Sequence, residues 1–207
     1  YDAVLKHRQS DVFNVIENKY GQITGGWLEG CTQLTSPNCE DGPANCGVDL
    51  VVVHNISLPP GEFGGPHIID LFLNRLDPSV HPYFQDIAHL KVSSHFLIRR
   101  SGEVIQFVST KQAAWHAGVS SWQGREKCNE FSIGIELEGT DTHLYTDAQY
   151  ARLEELIVKC GDAHPSLALD AIVGHSDIAP GRKTDPGESF DWYELQARLN
   201  LDSLPCC

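Results

Sequence analysis

A loop near the carboxyl end of the chain gathers side chains that together could do chemistry. Residues 172–187 read I-V-G-H-S-D-I-A-P-G-R-K-T-D-P-G and include His175, Arg182, Lys183 and Asp185. Prolines and glycines fix the course of a loop, so polar groups can meet at one point in space. Imidazole and carboxylate groups both bind zinc, and a catalytic zinc ion commonly takes three protein ligands plus water. The loop predicts part of a zinc site, with a solvated surface turn as the alternative.

A candidate for the third ligand lies at the end of a strand. Residues 49–55 read D-L-V-V-V-H-N, a continuous β-branched run that is typical of a strand buried on both faces. His54 follows this run, and a polar side chain at the end of a buried strand is held rigidly, which suits a metal site. The alternative is a histidine that caps the core with one hydrogen bond.

A later strand, F-S-I-G-I-E-L-E-G at residues 131–139, alternates strictly between apolar and other residues. In a strand, this alternation predicts two faces. One face carries Phe131, Ile133, Ile135 and Leu137, and the other carries Ser132, Gly134, Glu136 and Glu138. Two carboxylates beside two small residues predict the floor of a cleft rather than a face covered by helices. A solvated face is the alternative.

Helical and strand patterns are mixed along the chain, which favours an α/β or α+β fold. The predicted helices cover 11–20, 67–76, 146–160 and 192–199. The predicted strands, besides the two above, cover 91–100, 103–108 and 169–173, with the first two of these paired as a hairpin. Residues 29–48 and 113–127 are predicted as loops. Thr146 is expected to cap its helix and Gly161 to stop it.

Length and composition exclude several classes of partner. A chain of 207 residues that is 41% hydrophobic can form one sizeable domain. Its formal charge of −13 disfavours DNA, RNA and anionic lipid as partners. No apolar run approaches the roughly 20 residues that span a bilayer. The chain starts at Tyr1 and has no Met, so we expect that its start has been trimmed. A signal peptide that has been removed is one of the alternatives.

The seven cysteines form no paired zinc-binding pattern. We interpret most of them as reduced thiols, because a domain of this size does not need disulfides to fold. The alternative is a secreted protein in which Cys39 is bridged to Cys31 or to Cys46.

Four segments, taken in order, resemble one family. They are V-V-H-N-I-S-L-P-P-G-E-F-G-G-P, A-W-H-A-G-V-S, F-S-I-G-I-E-L-E-G-T-D-T and G-H-S-D-I-A-P-G-R-K-T-D-P-G. The chain resembles the AmpD-type N-acetylmuramoyl-L-alanine amidases, zinc enzymes related to peptidoglycan recognition proteins, over residues 26–199. The resemblance implies an α/β fold with a mixed central sheet flanked by helices. It also implies a catalytic domain at 25–200, between an N-terminal extension at 1–24 and a tail at 201–207.

The resemblance implies one zinc ion held by His54, His175 and Asp185. It assigns Glu136 as the base that handles the protons of the reaction, and Lys183 as the group that stabilises the oxyanion. The implied reaction is hydrolysis of the lactyl amide between 1,6-anhydro-N-acetylmuramic acid and L-alanine of muropeptides, in peptidoglycan recycling.

The implied substrate carries several carboxylates, so Arg125, Lys127 and Arg182 are candidate contacts to it. Asn55 and Trp115 are candidate contacts to the sugar or the peptide stem. Lys127 stands where relatives often have Arg. A lysine ammonium group cannot form the two parallel hydrogen bonds that an arginine guanidinium group makes to a carboxylate, which weakens the expectation of a carboxylate contact there.

The sequence also differs from more distant zinc amidases at Ser94, where those enzymes have a catalytic Tyr. This favours Glu136 as the group that does the work, and we expect the adjacent His95 to support the site from behind or to pack in the core. The preferred location is the cytoplasm and the preferred state a monomer. The alternatives are a non-catalytic peptidoglycan-binding module and a periplasmic or secreted amidase that acts on intact wall.

Overall fold

The computed structural model describes residues 18–42 and 47–205. The elements, in chain order, are β1 (Ile23–Thr24), β2 (Trp27–Leu28), β3 (Thr32–Gln33), β4 (Cys39–Asp41), β5 (Leu50–Ile56), α1 (His67–Phe72), α2 (Pro82–Ile87), β6 (Phe96–Ile98), β7 (Val104–Gln106), β8 (Gln112–Ala114), β9 (Ser121–Trp122), β10 (Arg125–Glu126), a 3-10 helix (Cys128–Glu130), β11 (Ser132–Glu138), α3 (Asp147–Ala163), β12 (Ile172–Gly174), α4 (His175–Ile178) and α5 (Trp192–Arg198). The helix predicted over 11–20 lies outside the described residues except at 18–20, which are not helical.

Six strands form one mixed sheet in the order β12-β5-β11-β6-β7-β3. The first four are parallel, β7 is antiparallel to β6, and β3 is parallel to β7. The β6–β7 pair is the predicted hairpin. A mixed central sheet flanked by helices confirms the predicted fold class, and the parallel strands explain why the valines of β5 are buried on both faces.

Helices α3 and α5 cover one face of this sheet. Helix α3 begins at a capping box in which the Thr146 side chain accepts the N–H of Gln149, as the sequence predicted for Thr146. The predicted stop at Gly161 is wrong, because the helix continues to Ala163. A Cβ at Gly161 would lie 2.9 Å from Cδ2 of Leu169. The glycine therefore permits a close contact instead of ending the helix.

The apolar cluster between these helices and the sheet includes Val51, Val53, Ile133, Ile135, Leu153, Leu156, Ile157 and Leu195. Each fully buried aliphatic side chain contributes about 1.5–3 kcal/mol. The opposite face is only partly covered. Helices α1 and α2 pack there against Leu97 and Ile105. Because no long helix of the described residues covers the rest of that face, it is open to a cleft.

Two segments predicted as loops contain short strands. Residues 29–48 contribute β3 and β4, which pair with β7 and β8. These partner strands are distant in the sequence, so no local pattern could predict β3 and β4. Within 113–127, β9 and β10 form a hairpin whose turn residues Gln123 and Gly124 both have positive φ. That conformation is the one required by a tight two-residue hairpin turn.

The assignment of Phe131 to the face of Ile133 is also wrong. The strand begins one residue later, at Ser132, and the Phe131 side chain packs in a separate cluster with Leu50 and Val52. The 3-10 helix that ends at Glu130 turns the backbone before the strand pattern starts.

The described edges of the expected extension and tail pack against the domain. Tyr20 is buried, its hydroxyl accepts the N–H of Val104, and its own N–H donates to Glu155. Leu204 lies in the same apolar cluster as the sheet. Within the described ranges, no helix is long and apolar enough to cross a membrane. Cys31, Cys39, Cys128 and Cys160 are free thiols, so the Cys31–Cys39 bridge is not formed.

Candidate metal centre and active-site cleft

Three adjacent parallel strands bring the site residues together at their carboxyl ends. His54 lies on β5 and Glu136 on β11, and the two are paired in the strand register. His175 directly follows β12, which neighbours β5 on the other side. The carboxyl ends of parallel strands are the usual place for ligand sites in α/β sheets.

The loop after α4 folds back to bring Asp185 to these strand ends. The N–H of Ser176 donates to the carbonyl of Asp185 at 3.0 Å. The next carbonyl, that of Pro186, accepts from Asn55 Nδ2 at 3.0 Å and from the Tyr145 hydroxyl at 2.8 Å. These bonds attach the loop to β5 and to the chain before α3. Asp185 is therefore held through its own carbonyl and through the carbonyl of the next residue.

Gly174 allows this close approach. A Cβ on Gly174 would lie 2.8 Å from Cδ of Pro186. A larger residue at the end of β12 would push the loop, and with it Asp185, away from His175.

The three predicted ligands converge on one point. Nδ1 of His54 lies 2.9 Å from Nδ1 of His175 and 3.1 Å from Oδ2 of Asp185, and Nδ1 of His175 lies 3.0 Å from the same oxygen. Both histidines are buried, and Asp185 is largely so. Among the described residues this is the group of His, Cys, Asp and Glu side chains that could hold a metal ion.

The protonation of these groups suits a cation. Burial lowers the pKa of His54 to about 4, so its ring is neutral at pH 7. Nε2 of His175 lies 3.0 Å from the carbonyl of Ala117, which can only accept, so this nitrogen is the donor and Nδ1 is the atom that faces Asp185. The Nδ1 atoms of both rings and one carboxylate oxygen therefore point into the same small space. Two imidazoles with one carboxylate form a donor set that zinc takes in catalytic sites.

Glu136 lies beside this centre in a buried position. Its Oε2 is the buried side-chain atom without a hydrogen-bond partner among the described residues. Burial, followed by the charge of Asp185, raises the pKa of Glu136 well above its usual value, and the charge of Lys183 opposes this. A carboxylate with one buried, unpartnered oxygen and a raised pKa is a suitable proton acceptor. The solvated-face alternative fails, since every residue of β11 is buried.

The centre opens into a cleft of about 600 Å³. His54, Glu136, His175 and Asp185 line it, and so do four of the other predicted site residues, namely Asn55, Trp115, Arg182 and Lys183. Asn55 also donates to Asp141, and Arg182 donates to the carbonyls of Ala117 and Val119. The cleft thus combines three candidate metal ligands, a buried carboxylate, an indole and two cations.

The structure does not bring Arg125 and Lys127 into this cleft. Arg125 pairs with Asp49 and lies over the ring of Phe131 at 3.8 Å. Lys127 pairs with Glu130 at 3.5 Å and lines a neighbouring cavity of about 520 Å³ that shares Arg182 with the cleft. A substrate role for Arg125 and Lys127 stays a prediction.

Other polar residues of the strands have structural partners. Glu138 pairs with Arg99 at 2.8 Å and accepts from the N–H of Gly64. Ser94 donates to the carbonyl of Gly134, and His95 accepts from the N–H of Gly134. The His95 ring is fully buried and lies 5.9 Å from the His116 ring, centroid to centroid. Its role, in support of the site or in packing, stays a prediction.

The sequence reasoning missed His116. Its Nδ1 lies 2.9 Å from Nε2 of His54, and its ring is buried beneath the metal centre. Burial, followed by the nearby His54 ring, lowers its pKa well below the usual value. The signals available were its place in A-W-H-A-G and the glycine of β11, Gly134, over which its ring lies.

Comparison with known proteins agrees with this geometry. The sequence profile of the N-acetylmuramoyl-L-alanine amidase family matches residues 44–188. The chain belongs to this family. It is 58% identical over 178 residues to the 1,6-anhydro-N-acetylmuramyl-L-alanine amidase AmpD of Escherichia coli, covering 86% of this chain and 97% of that protein. The predicted resemblance to AmpD-type amidases is confirmed.

Solved structures of amidases have the same fold. A crystal structure of a selenomethionine AmpD derivative is 54% identical, with a TM-score of 0.84 over 86% of this chain and 99% of that one. AmpDh3 of Pseudomonas aeruginosa, solved in complex with an anhydromuramic pentapeptide, is 27% identical, with a TM-score of 0.53 over 75% of this chain and 62% of that one.

Proposed function

We propose that this amidase hydrolyses the lactyl amide bond between 1,6-anhydro-N-acetylmuramic acid and L-alanine of muropeptides, with one zinc ion as cofactor. The observation that supports this most is the unpartnered Glu136 carboxylate beside the three converging ligand atoms of His54, His175 and Asp185. The names of its close relatives support the choice of substrate.

An amide is a poor electrophile with a poor leaving group, so the site must activate water and protonate the departing amine. Zinc held by His54, His175 and Asp185 would polarise the carbonyl and lower the pKa of water. Glu136 takes the proton of the attacking water and delivers it to the amide nitrogen as the C–N bond breaks. The products are the muramoyl carboxylate and a peptide with a free amino terminus.

The cleft supplies the remaining groups. Lys183 lines it together with Glu136, and we propose that its ammonium group stabilises the negative charge that develops on the carbonyl oxygen. Asn55, Trp115 and Arg182 are the proposed substrate contacts, with Arg182 facing a carboxylate of the peptide stem. Arg125 and Lys127 would reach only a stem that extends past Arg182 into the neighbouring cavity.

We further propose that the protein acts as a monomer in the cytoplasm, in peptidoglycan recycling. The ligands and the base come from one chain, and the four described cysteines are free thiols, as in a reducing compartment.

The test is incubation with an anhydromuramoyl tripeptide and with its reducing muramoyl counterpart, each with and without a chelator, followed by mass spectrometry. Release of free peptide from the anhydro form alone, abolished by the chelator and restored by Zn²⁺, is the expected result. Cleavage of both forms would indicate an amidase of intact wall. Binding of zinc without cleavage of either form would indicate a binding module and overturn the proposal.

A further inference from the structure

We infer that His116 is a positioning residue that holds the His54 ring in the tautomer and orientation in which Nδ1 faces the metal. The inference rests on the proposed function, because it concerns a ligand of the proposed zinc ion. It follows from the direction of one chain of hydrogen bonds and from the way the His116 ring is packed.

The chain of hydrogen bonds starts at a backbone carbonyl. Oγ of Ser132 lies 2.5 Å from the carbonyl of Cys128, which can only accept, so the Ser132 hydroxyl donates to it. The Ser132 oxygen then has no hydrogen left for its second neighbour. That neighbour is Nε2 of His116 at 3.2 Å, which must be the donor.

This assignment fixes the next contact. With its hydrogen on Nε2, the neutral His116 ring has a lone pair on Nδ1. Nδ1 lies 2.9 Å from Nε2 of His54, so the hydrogen of His54 is on Nε2. The lone pair of His54 is therefore on Nδ1, the atom that meets His175 and Asp185. Metal-bound histidines commonly have their second nitrogen fixed in this way, which sets the tautomer and the ring orientation.

The His116 ring is held by the strand beneath it. A Cβ on Gly134 would lie 2.4 Å from Cγ of His116 and 2.6 Å from its Nδ1. Only a glycine at this point of β11 leaves room for the ring. The backbone on either side is fixed by Asn129, whose Oδ1 accepts from the N–H groups of His116 and Ala117 at 3.1 and 2.7 Å.

The same short segment orients the second histidine. The carbonyl of Ala117 lies 3.0 Å from Nε2 of His175. His116 and Ala117 therefore fix the outer nitrogen of each histidine ligand, one through a side chain and one through the backbone. A residue that only filled space would need no acceptor facing His54, so the two roles can be separated by substitution.

The experiment compares His116→Asn with His116→Leu in the full chain. Asn and Leu are similar in size, but only Asn offers an acceptor near the position of Nδ1. The dissociation constant for Zn²⁺ is measured by competition with a chromogenic chelator, and circular dichroism checks the fold. His116→Leu should weaken zinc binding by about 10- to 100-fold, the effect typical of lost outer partners of metal ligands. His116→Asn should recover most of this loss.

Two further variants separate the possible failures. His164→Asn alters a half-buried histidine that bonds to Thr110 and should leave zinc binding unchanged. His54→Ala should abolish it. If His54→Ala binds zinc as the unaltered protein does, the proposed metal site fails. If His54→Ala loses zinc while His116→Leu keeps it, only the positioning role fails. Equal losses of zinc affinity in His116→Asn and His116→Leu would also overturn the positioning role, because the missing shape of the imidazole ring would explain both.

The tautomer itself can be observed in the zinc-free protein. Nuclear magnetic resonance of nitrogen-labelled histidine should show the hydrogen of His54 on Nε2, and this preference should be lost in His116→Leu. A hydrogen on Nδ1 of His54 in the unaltered protein would overturn the inference. Should His116→Leu fail to fold, Gly134→Ala keeps every hydrogen-bonding group and displaces the ring, and it should weaken zinc binding. Unchanged zinc binding in Gly134→Ala would contradict the inference.

Discussion

His54 and Glu136 are register partners on the adjacent parallel strands β5 and β11. Side chains at paired positions of neighbouring strands point to the same face of a sheet. The proposed metal ligand and the proposed proton acceptor are thus fixed side by side by the sheet backbone, which positions groups more rigidly than loops do. The proposed ligand Asp185 lies on a loop, and the neighbouring Pro186 carbonyl attaches that loop to Asn55 of β5 and to Tyr145.

Replacement of a ligand should remove the metal and the activity together. For His54→Ala, His175→Ala and Asp185→Ala, we expect no zinc in the purified protein by elemental analysis, and no peptide release. A chelator should lower the melting temperature of the unaltered protein and leave that of each variant unchanged, because the ion stabilises only the protein that binds it. A fully active variant without zinc would refute the ligand set.

Replacement of Glu136 should separate chemistry from metal binding. Glu136→Gln keeps the shape of the side chain and removes its capacity to accept a proton. We expect kcat to fall by about 10²- to 10⁴-fold, the usual contribution of a general acid–base group, with zinc content unchanged. The measurement is steady-state peptide release at a fixed zinc load. Near-normal kcat would show that another group handles the protons.

The same substitution should change how the stability of the zinc-free protein depends on pH. The pKa of Glu136 in the folded protein is raised by burial and by Asp185. The protonated side chain therefore contributes fully to stability below the ordinary glutamate pKa, and this contribution is lost as pH rises through the pKa of the folded state. In urea unfolding, the free energies of unfolding of Glu136→Gln and of the unaltered protein should be similar at about pH 4, and that of the variant should be larger at about pH 8. An equal difference at both pH values would contradict a raised pKa.

Lys183 should affect turnover more than substrate binding. A charge that stabilises the oxyanion acts mainly in the transition state, so Lys183→Ala should lower kcat by about 10²- to 10³-fold with little change in KM. Lys111→Ala, which removes an exposed lysine outside the cleft, is the matched control and should be active. A change confined to KM would make Lys183 a binding residue.

Much of the site could be predicted from the sequence because strand ends and punctuated loops have local signatures. The valine run before His54 and the prolines and glycines around Asp185 are such signatures, and both residues lie where the sequence placed them. The alternation of their strand placed Glu136 and Glu138 on one face, and the family resemblance then singled out Glu136. The capping residue Thr146 was also predicted correctly, since its bond to Gln149 is local.

The rest depends on contacts between distant parts of the chain. His116 contacts His54, which lies 62 positions earlier in the sequence, and its place in A-W-H-A-G does not show which residue it contacts. Strand order is equally non-local, so the adjacency of β5 and β11 could not be derived. Gly161 was misread as a helix stop because a glycine required by close packing looks the same in sequence as one that ends a helix.

The central claim is hydrolysis of one particular amide bond, and the most direct test follows the oxygen of the attacking water. The zinc-loaded protein would be incubated with an anhydromuramoyl tripeptide in water enriched in the heavy oxygen isotope, and the products weighed by mass spectrometry. We expect one heavy oxygen in the lactyl carboxylate of the sugar product and none in the released peptide. Label in the peptide, or an intact substrate in the presence of bound zinc, would contradict the account.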